Sequence, residues 1–133
     1  MIVAMKALAV AFVLLVVHFA YQTASLVGVT GPTGEGTVVV EVLNGCGLKG
    51  IGERACQLLN DQGFDVMFVG NADDFGYERT LVVDRTGDLS KANAIADVLG
   101  IGQVISQLSA STYVEATLVV GNDAASVLAS GAR

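Results

Sequence analysis

The chain has 133 residues, with seven basic and thirteen acidic side chains, a formal net charge of −6, 53% hydrophobic residues and a single histidine. That length suits one small domain beside any terminal segment. All thirteen acidic residues but only six of the basic ones follow Lys6, so no basic stripe is present to neutralise phosphates and nucleic acid is excluded as a partner.

Residues 2–17 are apolar except for Lys6, and the apolar character continues through His18-Phe19-Ala20-Tyr21. A helix over residues 7–29 would rise roughly 35 Å, enough to cross a hydrocarbon layer of about 30 Å with some tilt. If only residues 7–20 insert, the length is closer to the apolar region of a signal peptide, and a start at Met5 would strengthen that reading. Lys6 is the sole cation before Lys49, which places the N-terminus in the cytoplasm and the rest outside. The expectation is a single-pass cell-membrane anchor over residues 1–29, with Tyr21 at the interface. Cleavage after Thr23-Ala24-Ser25 would instead release a secreted domain. Residues 30–36, at the end of a stretch with four glycines and the only proline, read as a flexible linker.

From Thr37 the chain alternates strand and helix. Val38-Val39-Val40-Glu41-Val42-Leu43 is a β-branched strand, apolar on both faces except at Glu41, which predicts an interior place in a sheet. Apolar residues at Leu48, Ile51, Ala55, Leu58 and Leu59 predict a helix over 48–62, stopped by Gly63. A second strand follows over 65–69. Thr80-Leu81-Val82-Val83-Asp84 begins another round, with a helix over 89–99 burying Ala92, Ile95, Ala96 and Leu99, then strands over 103–107 and 114–120. The expected architecture is α/β: a small mixed sheet with two helices, built as a weak βαβ duplication over residues 37–123, with a tail over 124–133. Such an arrangement buries one sheet face under the helices and leaves the other for a partner.

Between the first strand and helix, Gly45, Gly47 and Gly50 satisfy the G-x-G-x-x-G spacing of a dinucleotide site, in which backbone N–H groups approach a pyrophosphate. A dinucleotide fold requires another crossover helix after the second strand. The polar stretch from Gly70 to Arg79 is too short for one. Asp65 has the expected distance from the first glycine, but it opens the second strand where a ribose-binding acid should close it. The glycine turn, Asn44, Gly45, Gly47 and Gly50, is therefore read first as a sharp turn with close helix packing, and a nucleotide or phosphate site is the alternative.

The loop after the second strand is long enough to be functional and combines aromatic, acidic and basic residues. Asn71, Asp73, Tyr77 and Arg79 are its candidate ligand or partner contacts. Asn71 is expected to stabilise the turn through its side chain, and Phe75 and Tyr77 offer either a stacking surface for a sugar or packing onto the sheet edge. Asp73, Asp74 and Glu78 could cap backbone N–H groups or hold a cation; capping is the simpler expectation, so no metal site is assigned. His18 lies in the apolar segment, which removes histidine-based acid, base and metal chemistry from the remainder. Cys46 and Cys56 should stand roughly 12 Å or more apart, beyond disulfide reach, and no redox role follows.

Four segments in this order, Val40-Glu41-Val42-Leu43-Asn44-Gly45-Cys46-Gly47, Gly63-Phe64-Asp65-Val66, Gly70-Asn71-Ala72-Asp73 with Tyr77 and Thr80, and Ala116-Thr117-Leu118-Val119-Val120-Gly121-Asn122-Asp123, resemble the LytR C-terminal domain. That module follows the catalytic domain of LytR/CpsA/Psr cell-envelope proteins and also occurs as a stand-alone anchored protein. Cys46 departs from the small polar residue more usual there. The resemblance implies an envelope-facing accessory or binding domain that holds cell-wall glycan or an envelope protein near the membrane. It supplies no catalytic residue and no cofactor. The family's phosphotransferase domain is not encoded in these residues, and a structural assembly subunit is the remaining alternative.

Overall fold

The computed structural model describes residues 36–110 and 113–133; the expected membrane anchor and most of the linker lie outside the described residues. Among the described residues no helix is long and apolar enough to cross a membrane.

Among the described residues, five strands and three helices follow in the order β1 (Val39–Asn44), α1 (Ile51–Asp61), β2 (Asp65–Asn71), β3 (Leu81–Asp84), α2 (Leu89–Leu99), β4 (Val104–Ser106), β5 (Ala116–Val120) and α3 (Ala124–Gly131). The sheet order is β2-β1-β5-β3-β4. Strand β1 runs parallel to both β2 and β5, β3 runs parallel to β4, and β3 meets β5 antiparallel. The predicted mixed sheet and duplication are therefore present. The βαβ units β1-α1-β2 and β3-α2-β4 run in opposite directions on either side of β5. A half-turn about an axis through β5, perpendicular to the sheet, interchanges them. Because βαβ crossovers are right-handed, that symmetry puts α1 and α2 on the same face.

The last strand thus fills the centre of the sheet, and all five of its residues are buried. Val40, Val42, Val82, Leu118 and Val120 form the floor of the core, and Ala55, Leu59, Ile95, Leu99, Ala124 and Leu128 form its roof. The number of helices corrects the sequence expectation of two. Residues 124–133, read as a tail, contain α3, which packs against both α1 and α2. A Cβ on Gly131 would stand 2.9 Å from Leu58 and 2.8 Å from Leu99, so glycine lets the end of α3 wedge between the other two helices. The eight residues of α3 carry too short an apolar pattern to announce a helix without the groove that receives it.

Helix α1 starts later than its apolar spacing suggested. Gly50 adopts φ 78° immediately before it, and Leu48, expected in the core, is exposed in the turn. Helix α2 keeps its predicted bounds, with the Asp88 side chain accepting from Ser90 N–H at its start and Gly100 at φ 66° closing its end.

Candidate functional site

The carboxyl ends of β1, β2 and β5 meet at one end of the sheet, where the glycine turn and the loop of residues 72–79 are joined. Asn44, the last residue of β1, organises the turn. Its Oδ1 accepts from the N–H groups of Cys46 at 3.1 Å and Gly47 at 2.9 Å, while its Nδ2 donates to the Leu48 carbonyl at 2.8 Å. Gly45 N–H donates to the Val120 carbonyl at 2.8 Å. Three N–H groups at the start of the glycine pattern are thus engaged within the protein and unavailable to a phosphate.

The following loop is stitched to this turn by its backbone. Ala72 N–H donates to the Asn44 carbonyl at 2.8 Å, Tyr77 N–H to the Gly45 carbonyl at 3.1 Å, and Asn122 N–H to the Tyr77 carbonyl at 2.9 Å. Gly45 has no positive φ, so its need for glycine is steric: a Cβ there would lie 2.7 Å from Tyr77 Cδ2. Gly47 is the left-handed residue, at φ +74°, and the Phe75 ring stands over it.

Each predicted contact residue has a definite place. Tyr77 covers Gly45, and its hydroxyl donates to Asp73 Oδ1 at 3.1 Å. That bond, reinforced by burial and the neighbouring charges of Asp73 and Asp74, holds its pKa above the ordinary phenol value. Asp73 Oδ1 also accepts from Asp74 N–H, and Asp74 Oδ1 accepts from Gly76 N–H at 2.6 Å. These carboxylates fix the loop, and among the described residues no group of three His, Cys, Asp or Glu side chains is placed to hold a metal ion. Asn71 does not stabilise the turn as expected. It is exposed, with no hydrogen bond to its side chain among the described residues, because Asp73 and Asp74 supply the turn's acceptors.

Arg79 lies away from the other three, in an open cleft of about 870 Å³ with Glu78, Thr80, Asp123, Val127 and the residues after α2. Thr80 is locked there: Asp123 Oδ1 accepts from its N–H at 2.7 Å and its hydroxyl at 2.6 Å, and the same hydroxyl accepts from Gly121 N–H at 3.0 Å.

Asn71 instead shares a cleft of about 400 Å³ with the glycine turn. Asn44, Gly47, Lys49, Gly50, Gly52, Glu53, Val69, Gly70 and Phe75 complete its lining, and the Phe75 ring is 52% exposed. Lys49 and Glu53 were not foreseen as site residues. Their four-residue spacing across the helix start is the only sequence signal that they share a surface. The cleft therefore joins two of the predicted groups, the turn and Asn71, and separates them from Arg79. Both cysteines are free. Cys46 Sγ lies 3.5 Å from Asn44 Oδ1, and Cys56 Sγ accepts from Asn60 Nδ2.

Three of the four segments that carried the family resemblance interlock here: Asn44 and Gly45 with Tyr77, and Thr80 with Gly121 and Asp123. No curated protein and no solved structure gives a significant match to the chain. The family model described as LytR cell envelope-related transcriptional attenuator matches residues 37–123, from the start of the sheet to the Asp123 lock, and the chain belongs to this cell-envelope family.

Proposed function

We propose that the protein is a non-enzymatic binding module of the cell envelope, held at the membrane by its apolar N-terminal segment with the α/β domain outside the cytoplasm. The observation that carries this reading is the preformed end of the sheet, where a turn and a loop are braced by side chains and leave a cleft open between them. A rigid, ready-made surface costs little ordering on binding, which suits recruitment of cell-wall glycan or of an envelope protein. The groups in and around the cleft are amide, ammonium, carboxylate and aromatic, without a nucleophile paired to a base. Nucleotide binding is disfavoured because Gly45, Cys46 and Gly47 donate their N–H groups internally.

The test is co-sedimentation of residues 36–133, which contain the whole described core, with purified cell wall. Retention above that of an unrelated acidic domain of equal size is expected. Failure to sediment, with no envelope protein cross-linked to the full chain in intact cells, overturns the recruitment role.

A further inference from the structure

The two βαβ units provide an internal comparison. In the first, Asn44 closes β1 and is paired in register with Asn71 of β2; in the second, Asp84 closes β3 and is paired with Ser106 of β4. Both turn residues accept N–H groups from two and three positions ahead. The second unit is closed, since Ser106 Oγ donates to Asp84 Oδ2 at 3.0 Å. The first is not: Asn71 makes no such bond, and its amide, without a hydrogen-bond partner among the described residues, lines the 400 Å³ cleft.

We propose that Asn71 is the principal polar contact of a saccharide site in this cleft, with the Phe75 ring as its stacking surface. This inference rests on the binding role proposed above and assigns it a ligand class and a location. The cleft volume falls within the roughly 300–1,000 Å³ of small-ligand sites. A carboxamide offers a donor and an acceptor in one plane, matching adjacent sugar hydroxyls or an acetamido group. The half-exposed Phe75 ring, in the same lining, presents an apolar face to the carbon-bound hydrogens of a pyranose. Lys49 and Glu53 also line the cleft, with no ion-pair partner among the described residues, and so leave an ammonium donor and a carboxylate acceptor for further hydroxyls. A phosphate is the poorer occupant, because the Asn44 side chain already takes two of the turn's N–H groups.

The test titrates the full chain, kept in a detergent without a sugar headgroup, with a tetramer of N-acetylglucosamine, using calorimetry and saturation-transfer NMR. Inorganic phosphate and AMP are titrated in parallel. Saturable tetramer binding is expected, weakened at least tenfold by Asn71→Ser, which installs the residue of the closed unit, and by Phe75→Ala. Ser106→Asn should leave it unchanged, and circular dichroism and melting temperature of each variant verify folding. Tetramer binding that survives both cleft substitutions, or saturable binding of phosphate or AMP lost on Asn71→Ser, overturns the saccharide assignment. Wall sedimentation or envelope-protein cross-linking that persists without tetramer binding removes this cleft's ligand while leaving the recruitment role standing; loss of all three removes the two together.

Discussion

Asn44 and Asp84 are counterparts under the internal half-turn: each ends the first strand of its unit, and each bends the chain by accepting on Oδ1 the N–H groups two and three residues ahead. The distances are 3.1 and 2.9 Å for Asn44, and 3.0 and 3.2 Å for Asp84. A left-handed glycine completes both turns, Gly47 at φ 74° and Gly87 at φ 88°. A side chain from the following loop stands over each, Phe75 over Gly47 and Leu108 over Gly87. The duplication therefore extends from topology to the hydrogen bonds that form each turn, and its ionised copy has a measurable consequence.

Asp84 is fully buried. Burial alone would raise its carboxyl, but donors from Thr86, Ser106 and Gly87 outweigh it and hold the pKa below the ordinary aspartate value. Glu115 is lowered too, by Lys91 and by Val39 N–H. A depressed folded-state pKa contributes stability that is fully present above the unfolded values of about 4 and is lost as pH falls through the folded values. The melting temperature should stay level between about pH 7 and 5 and drop below about pH 4. Asp84→Asn, which copies the first unit's amide, should flatten part of that drop, whereas Asp84→Ala should cost about 1–3 kcal/mol at pH 7 by orphaning buried donors. Denaturant titrations across pH measure both.

Two glycines of one turn should fail for different reasons. Gly45→Ala places a methyl group against the Tyr77 ring, so Tyr77→Ala in the same chain should recover part of the lost stability. Gly47→Ala meets backbone strain at positive φ, costing about 1–2 kcal/mol, and Phe75→Ala should recover only the smaller share that comes from the ring's 3.3 Å approach to the new methyl group. A double-mutant cycle for each pair, read by urea unfolding, separates the mechanisms.

The C-terminal helix should behave as part of the core. Ending the chain at residue 123 removes Leu128 and Gly131 from the groove between α1 and α2, leaving Leu58 and Leu99 uncovered. The truncated domain is expected to lose cooperative unfolding, and Leu128→Ala alone should cost about 2–5 kcal/mol. Asp123→Ala should cost about 1–3 kcal/mol, because Thr80 N–H and its hydroxyl lose their shared acceptor.

Membrane placement is tested from outside the cell. Protease added to intact spheroplasts should digest the chain after Gly36, since Lys6 is the only cation flanking the apolar run. Full protection there, with digestion once the membrane is permeabilised, would reverse the topology.

Much of this architecture was legible from residue order. The apolar run over β1, the period of α2 with its Gly100 stop, and the alternation of strand and helix are local signals, written by side-chain spacing and backbone preference. The family followed from the order of four short segments. What local signals could not supply was the position of β5, which enters the middle of the sheet from the far end of the chain. Nor could they place α3, which has a groove only after α1 and α2 share a face. The same limit applied to the candidate site. Asn71, Asp73, Tyr77 and Arg79 are close in sequence, but Tyr77 turns onto Gly45, Asp73 takes the tyrosine hydroxyl, and Arg79 faces a different cleft. Asn71 alone joins Lys49 and Glu53 from another element. Which polar groups stay free depends on which donors and acceptors the fold has already paired, and that is settled by distances between segments far apart in the chain.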